Sequence, residues 1–130
     1  MTGAGQVKAG TGAYDLSVTF PHRIGDPEGG TSPEELIAGA HATCYAMVIN
    51  AAIGRKGGSV AKTHVTCTVT ADKGDAGIKI VTSKLALTVE GLAGMAAADF
   101  DAFAREAEKG CPVSNAIRNN VAIEIETTVN

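Results

Sequence analysis

Two cysteines in unlike surroundings carry most of the chemistry this chain can offer. Cys44 lies inside the apolar stretch Leu36-Ile37-Ala38-Gly39-Ala40-His41-Ala42-Thr43-Cys44-Tyr45-Ala46-Met47, whereas Cys111 opens Gly110-Cys111-Pro112-Val113-Ser114. They are too far apart in sequence for a zinc knuckle and suit a nucleophile and its resolving partner. Local chemistry ranks Cys111 first. It sits at or next to a helix N-cap, where free backbone N–H groups and the helix dipole favour a thiolate. Cys44 alone reads as core, because apolar surroundings raise a thiol's pKa unless a cation is supplied. Arg23, in the loop before the long apolar stretch, is a candidate cation, although a loop arginine is ordinarily solvated.

The remaining polar groups have plainer readings. Cys67 shares the apolar face of a strand with Val65 and Val69 and is structural. Glu34 and Glu35 stand in a first helical turn, where the dipole favours carboxylates. His41 lies one turn before Cys44 and could touch the thiol, but a hydrogen-bonded core histidine is the simpler reading. A Cys–His hydrolase would also need an orienting group and an oxyanion site. No C-x-x-C or H-x-x-x-H spacing, P-loop or G-x-G-x-x-G is present, so neither a metal nor a nucleotide cofactor is expected.

The elements that must position these groups follow from periodicity. Tyr14, Leu16, Val18 and Phe20 alternate with polar residues as a half-buried strand, and Gly10-Thr11-Gly12 turns it back onto a short strand near Val7. Pro21 to Thr31 reads as a loop carrying Arg23. Ser32 as N-cap, Pro33 at the first helical position and Glu35 closing an S-x-x-E box then start a helix. It runs to about Arg55 and stops at Gly57-Gly58. Being apolar on nearly every face, it is expected to be buried on most sides. Val65 to Ala71 is a second strand, and Asp72 to Gly77 a turn. Ile78 to Val89 is a third strand whose apolar phase flips, which predicts a bulge near Thr82-Ser83. A helix over Ala96 to Lys109, a short helix from Cys111 and a strand through Val121, Ile123 and Ile125 complete an α+β order.

Composition bounds the function. At 130 residues, 45% hydrophobic and 19% charged, the chain reads as one globular domain, residues 1–130. A net charge of −3 argues against a nucleic-acid partner. The segment Met1 to Gln6 lacks the apolar core of a signal peptide. Leu36 to Ile53 has the length of a marginal membrane span but contains His41, Thr43 and Asn50, so a buried helix is expected and no membrane partner. Three cysteines without a signal peptide imply a reducing cytoplasm, where a disulfide would be transient.

The segments Thr31-Ser32-Pro33-Glu34-Glu35-Leu36, Ala40-His41-Ala42-Thr43-Cys44 and Gly110-Cys111-Pro112-Val113-Ser114 together closely resemble the OsmC/Ohr family of thiol peroxidases. The His-Ala before the first cysteine and the Cys-Pro-Val-Ser of the second are similar to the OsmC branch rather than the Ohr branch. The resemblance extends over nearly the whole chain. It implies antiparallel sheets packed around a long central helix in an intertwined homodimer. It also implies a dithiol peroxidase acting on organic hydroperoxides, with Cys44 attacking the peroxide and Cys111 resolving the sulfenic acid as a disulfide. An external dithiol, of the lipoyl type in this family, would recycle the pair. Arg23 matches the family's loop arginine, which would stabilise the Cys44 thiolate, and Glu34 the glutamate that would hold that arginine. The resemblance thus reverses the ranking of the two thiols.

Helix geometry adds a consequence. Ten residues separate Glu34 from Cys44, which is about 15 Å along a helix at about 1.5 Å per residue. If Glu34 and Arg23 serve Cys44, at least Glu34 comes from a second subunit. The rival to a peroxidase is a non-enzymatic redox sensor or binding module that uses the same two thiols without turnover.

Overall fold

The computed structural model describes residues 3–130; Met1 and Thr2, the start of the segment read as lacking a signal peptide, lie outside the described residues. The chain forms two compact units, one running to Ile37 and the other spanning Ala38–Asn130.

In the first unit, β1 (Ala4–Lys8) and β2 (Asp15–Thr19) form an antiparallel hairpin, with Val7 opposite Leu16. The expected loop after it holds a short helix, α1 (Phe20–Ile24). Thr19 is its N-cap and accepts the His22 N–H at 3.2 Å, and Pro21 sits in its first turn. These are ordinary helix-start signals, so Arg23 lies on a helix rather than in a loop. The long helix α2 (Pro33–Arg55) begins here as expected: the Glu35 N–H donates to Ser32 Oγ at 3.1 Å. Only half of the capping box forms, since the Glu35 carboxylate accepts from Thr31 Oγ1 at 2.7 Å.

The second unit packs α2, from Ala38 onward, with β3 (Lys62–Gly74), β4 (Gly77–Glu90), α3 (Ala97–Glu108), α4 (Pro112–Ile117) and β5 (Ala122–Val129). The sheet order is β3-β4-β5. The β3–β4 hairpin is antiparallel, while β5, reached through α3 and α4, lies parallel to β4. Both hairpins are antiparallel, as expected, and β5 adds one parallel strand to the second sheet. The α3–α4 crossover returns the chain to the same end of the sheet, as a β-α-β connection must. Thr70 faces Thr82 and Ala71 faces Ile80, so Val81 is the extra residue of a bulge. That is a residue or two before the expected position and accounts for the phase flip.

The core joins Tyr45, Ile49 and Ile53 of α2, Leu85, Leu87 and Val89 of β4, Phe100 and Ala104 of α3, and Cys111. Burial on α2 follows one stripe, Ala38, His41, Tyr45, Ile49, Ala52 and Ile53, the helical repeat expected of a single contact face. The opposite face, including Gly39, Ala40, Thr43, Met47 and Ala51, is exposed. Within one chain α2 is therefore covered on one side, not on most sides. By length and composition it could cross a membrane, yet its buried stripe forms part of a globular core. It ends where expected: Gly57 takes φ +73°, and the Gly58 N–H returns to the Ile53 carbonyl at 3.0 Å.

Candidate active site

Cys44 and Cys111, far apart in sequence, meet in the second unit. The Cys111 thiol donates to Cys44 Sγ at 3.1 Å, and both thiols are free. Cys44 sits on the half-exposed flank of α2. Cys111 is fully buried as the N-cap of α4, with Pro112 at the first helical position. Its side chain makes no capping bond, since the sulfur is turned to Cys44. Burial pushes the Cys44 thiol up, the Val113 backbone N–H pulls it down, and the adjacent Cys111 sulfur pushes it up again; the net direction is up. The N-terminal N–H of α4 thus points at Cys44, where the sequence had placed its benefit on Cys111. A raised thiol still needs a cation before it can act as a nucleophile.

Arg23 and Glu34 meet in the first unit. Arg23 Nε donates to both Glu34 carboxylate oxygens, at 3.1 and 3.2 Å, and its Nη2 closes on Oε1. This fork geometry fixes the guanidinium plane. The hydrogen bond from Arg23 holds the Glu34 carboxyl below its usual range, and the same bond raises Arg23. Arg23 also lines an open groove of about 510 Å³ with Val7, Val18, Phe20 and Leu36, in which it is the one charged residue among the described residues.

Sequence reasoning missed Ser83 and Ser114, the buried serines that hold His41. His41 is fully buried; its Nδ1 lies 2.7 Å from Ser83 Oγ and its Nε2 2.7 Å from Ser114 Oγ. The core-histidine reading therefore holds, and with both nitrogens occupied none is left to act as a base on Cys44. Burial lowers the His41 pKa. Cys67, half-buried on β3, lies 3.2 Å from Ser83 Oγ, and burial pushes its thiol up, which suits a silent structural thiol. The missed signal for Ser83 was its place in phase with Leu85, Leu87 and Val89, a polar side chain on a buried face that demands a partner. Tyr45 packs rather than lining a site: it is fully buried and donates to the Ala104 carbonyl at 2.9 Å.

The family model for OsmC-like protein matches residues 25–126. The chain belongs to the OsmC-like family. It is 37% identical over 100 residues to the peroxiredoxin OsmC of Escherichia coli, spanning 76% of this chain and 68% of that protein. An organic hydroperoxide resistance protein OsmC from Legionella pneumophila is 26% identical and superposes with a TM-score of 0.74, covering 99% of this chain and 97% of the other. OhrB of Bacillus subtilis shares the fold with a TM-score of 0.79 at 21% identity, over 95% of this chain and 90% of the other. As an OsmC-like protein the chain falls in a peroxiredoxin-like family, and the two free thiols at 3.1 Å are where redox chemistry can occur.

Proposed function

We propose that the chain is a thiol-dependent peroxidase that reduces organic hydroperoxides to alcohols. The observation that carries this reading is the Cys44–Cys111 contact, with one thiol accessible and the other fully buried. A peroxide arriving from solvent reaches Cys44, not Cys111. The Cys44 thiolate attacks the distal peroxide oxygen, the O–O bond breaks, and the alkoxide leaves as the alcohol once protonated; Cys44 is left as sulfenic acid. The Cys111 sulfur then attacks Cys44, expels the oxygen as water and closes a disulfide. An external dithiol, of the lipoyl type that the family resemblance suggests, restores both thiols by exchange. No metal or organic cofactor enters these steps.

The raised Cys44 thiol calls for a cation, and Arg23, held by Glu34, supplies one in this reading. Glu34 and Cys44 lie on one unbroken helix, about 15 Å apart along its axis. The Arg23–Glu34 pair of one subunit then serves Cys44 of another, so the active species is a homodimer with two shared sites. The apolar groove beside Arg23 suits the organic part of the substrate. A dithiol cycle of this kind suits a reducing compartment, and a cytoplasmic location is part of this reading.

Purified protein with dihydrolipoamide should turn over tert-butyl hydroperoxide. Cys44→Ser should abolish turnover, and Cys111→Ser should allow Cys44 oxidation but not disulfide closure. Turnover that survives Cys44→Ser would sink the mechanism. Disulfide formation once per oxidant exposure, with no turnover on any dithiol, would point to the sensor reading instead.

A further inference from the structure

The buried His41 is unused in the steps above, yet it joins the two segments that carry the thiols. His41 stands three residues before Cys44 on α2, and Ser114 stands three residues after Cys111 on α4. The two segments therefore meet at two rungs, Cys44 Sγ to Cys111 Sγ at 3.1 Å and His41 Nε2 to Ser114 Oγ at 2.7 Å. The second imidazole nitrogen is anchored to the sheet through Ser83 Oγ, which also meets Cys67 Sγ at 3.2 Å. His41, Ser83 and Ser114 are all fully buried, so losing one partner leaves a buried polar group unsatisfied.

We propose that His41 is a positioning residue that, through Ser114, sets the approach of Cys111 to Cys44. Its role in turnover rests on the two-thiol peroxidase reading above. A neutral imidazole has one donor and one acceptor nitrogen, so one serine donates to it while the other accepts. That requirement fixes the ring and, with it, the rotation of α4 about its own axis. Closing a disulfide brings the sulfurs from 3.1 Å to about 2.05 Å within a narrow dihedral range. A small rotation of α4 swings Cys111, at its first cap position, off that line. The fork of Arg118 on Glu108, at 2.9 and 3.2 Å, ties the far end of α4 to α3. At the near end the Cys111 N–H donates to the Glu108 carbonyl at 2.8 Å and the Asn115 amide to the Lys109 carbonyl at 3.2 Å. The His41 rung adds the tie from α4 to α2 that these bonds to the α3 end do not supply.

The test separates attack from resolution without using peroxide. Cys44 is methylthiolated with substoichiometric methyl methanethiosulfonate, and peptide masses locate the adduct. Cys111 then attacks the Cys44 sulfur, the Cys44–SCH3 bond breaks, and methanethiol leaves with the Cys111 proton as the Cys44–Cys111 disulfide forms. Ser114→Ala should slow this closure about tenfold, the effect of losing one buried hydrogen bond, while the rate of Cys44 methylthiolation stays near wild type. Ser83→Ala, which spares the rung to α4, should slow closure less. His41→Leu, which removes both bonds, is the second variant and should match or exceed the Ser114→Ala effect.

Closure within twofold of wild type in Ser114→Ala and His41→Leu would overturn the proposal. So would a Ser83→Ala effect as large as that of Ser114→Ala, or a matching fall in methylthiolation, either of which signals general loosening of the core. Wild-type protein that closes the mixed disulfide but is not oxidised at Cys44 by tert-butyl hydroperoxide loses the peroxidase reading and keeps the positioning one.

Discussion

At the scale of single residues, the partners of a charged or polar group decide what it can do more than its type does. Glu34 illustrates this. A first-turn carboxylate would favour the helix start wherever it pointed, but here it grips the Arg23 guanidinium through both oxygens. The direction of its pKa shift has a consequence for stability. Arg23 depresses the folded-state value of Glu34 below the unfolded value of about 4.3. The folded protein therefore binds fewer protons there than the unfolded chain. The pair's contribution is fully present above about pH 4.3 and is lost as pH falls through the depressed value. Glu34→Gln should lower the melting temperature at pH 7, and its gap from wild type should close on acidification below about pH 4. A gap that persists unchanged at pH 3 would show that the ion pair is not its source.

At the scale of elements, periodicity and capping were enough to place most of the frame. The first hairpin, the start and stop of α2, both long strands, the extent of α3 and the break at Pro112 all follow from local rules that a sequence displays directly. What escaped was non-local. The parallel placement of β5 depends on the α3–α4 crossover, and the His41–Ser83–Ser114 bridge joins positions 42 and 73 residues apart. No short-range pattern encodes such a bond. The helix around Arg23 escaped for a different reason: the two prolines and three glycines between Pro21 and Thr31 mask it, and its Thr19 cap falls inside the alternating strand pattern.

Tyr45 provides an element-level test of the frame. Its hydroxyl ties α2 to the Ala104 carbonyl of α3 at 2.9 Å, with the ring fully buried. Tyr45→Phe keeps the ring and removes the bond, so it should cost about 1 kcal/mol in denaturant unfolding. Peroxide turnover should be little changed, because the hydroxyl faces α3 rather than the thiols. A loss of turnover without loss of stability would instead assign Tyr45 to the site.

At the scale of the whole molecule, the uncovered side of α2 becomes significant. Gly39, Ala40, Thr43, Met47 and Ala51 are exposed along one face of a helix that is apolar nearly all round, and Met47 is 70% exposed. Small side chains there permit close approach of another backbone, and a second copy of the chain would cover the face. The shared site proposed above would require the same assembly, because Arg23 and Glu34 pair within one chain while Cys44 lies ten residues further along α2.

Two measurements test this assembly together. Met47→Arg places a charge on the proposed interface and should shift the protein from dimer to monomer by light scattering. Hydroperoxide turnover should fall with it, about a hundredfold if the transition state loses Arg23, while closure of the methylthiolated Cys44–Cys111 pair proceeds, since both thiols belong to one chain. Mixing Arg23→Met with Cys44→Ser chains, each inactive alone, should restore turnover. Their heterodimer holds one site with an intact cysteine from the first chain and an intact arginine from the second. No recovery on mixing, or full turnover in a Met47→Arg monomer, would mean that each chain completes its own site and that α2 carries its exposed face for another reason.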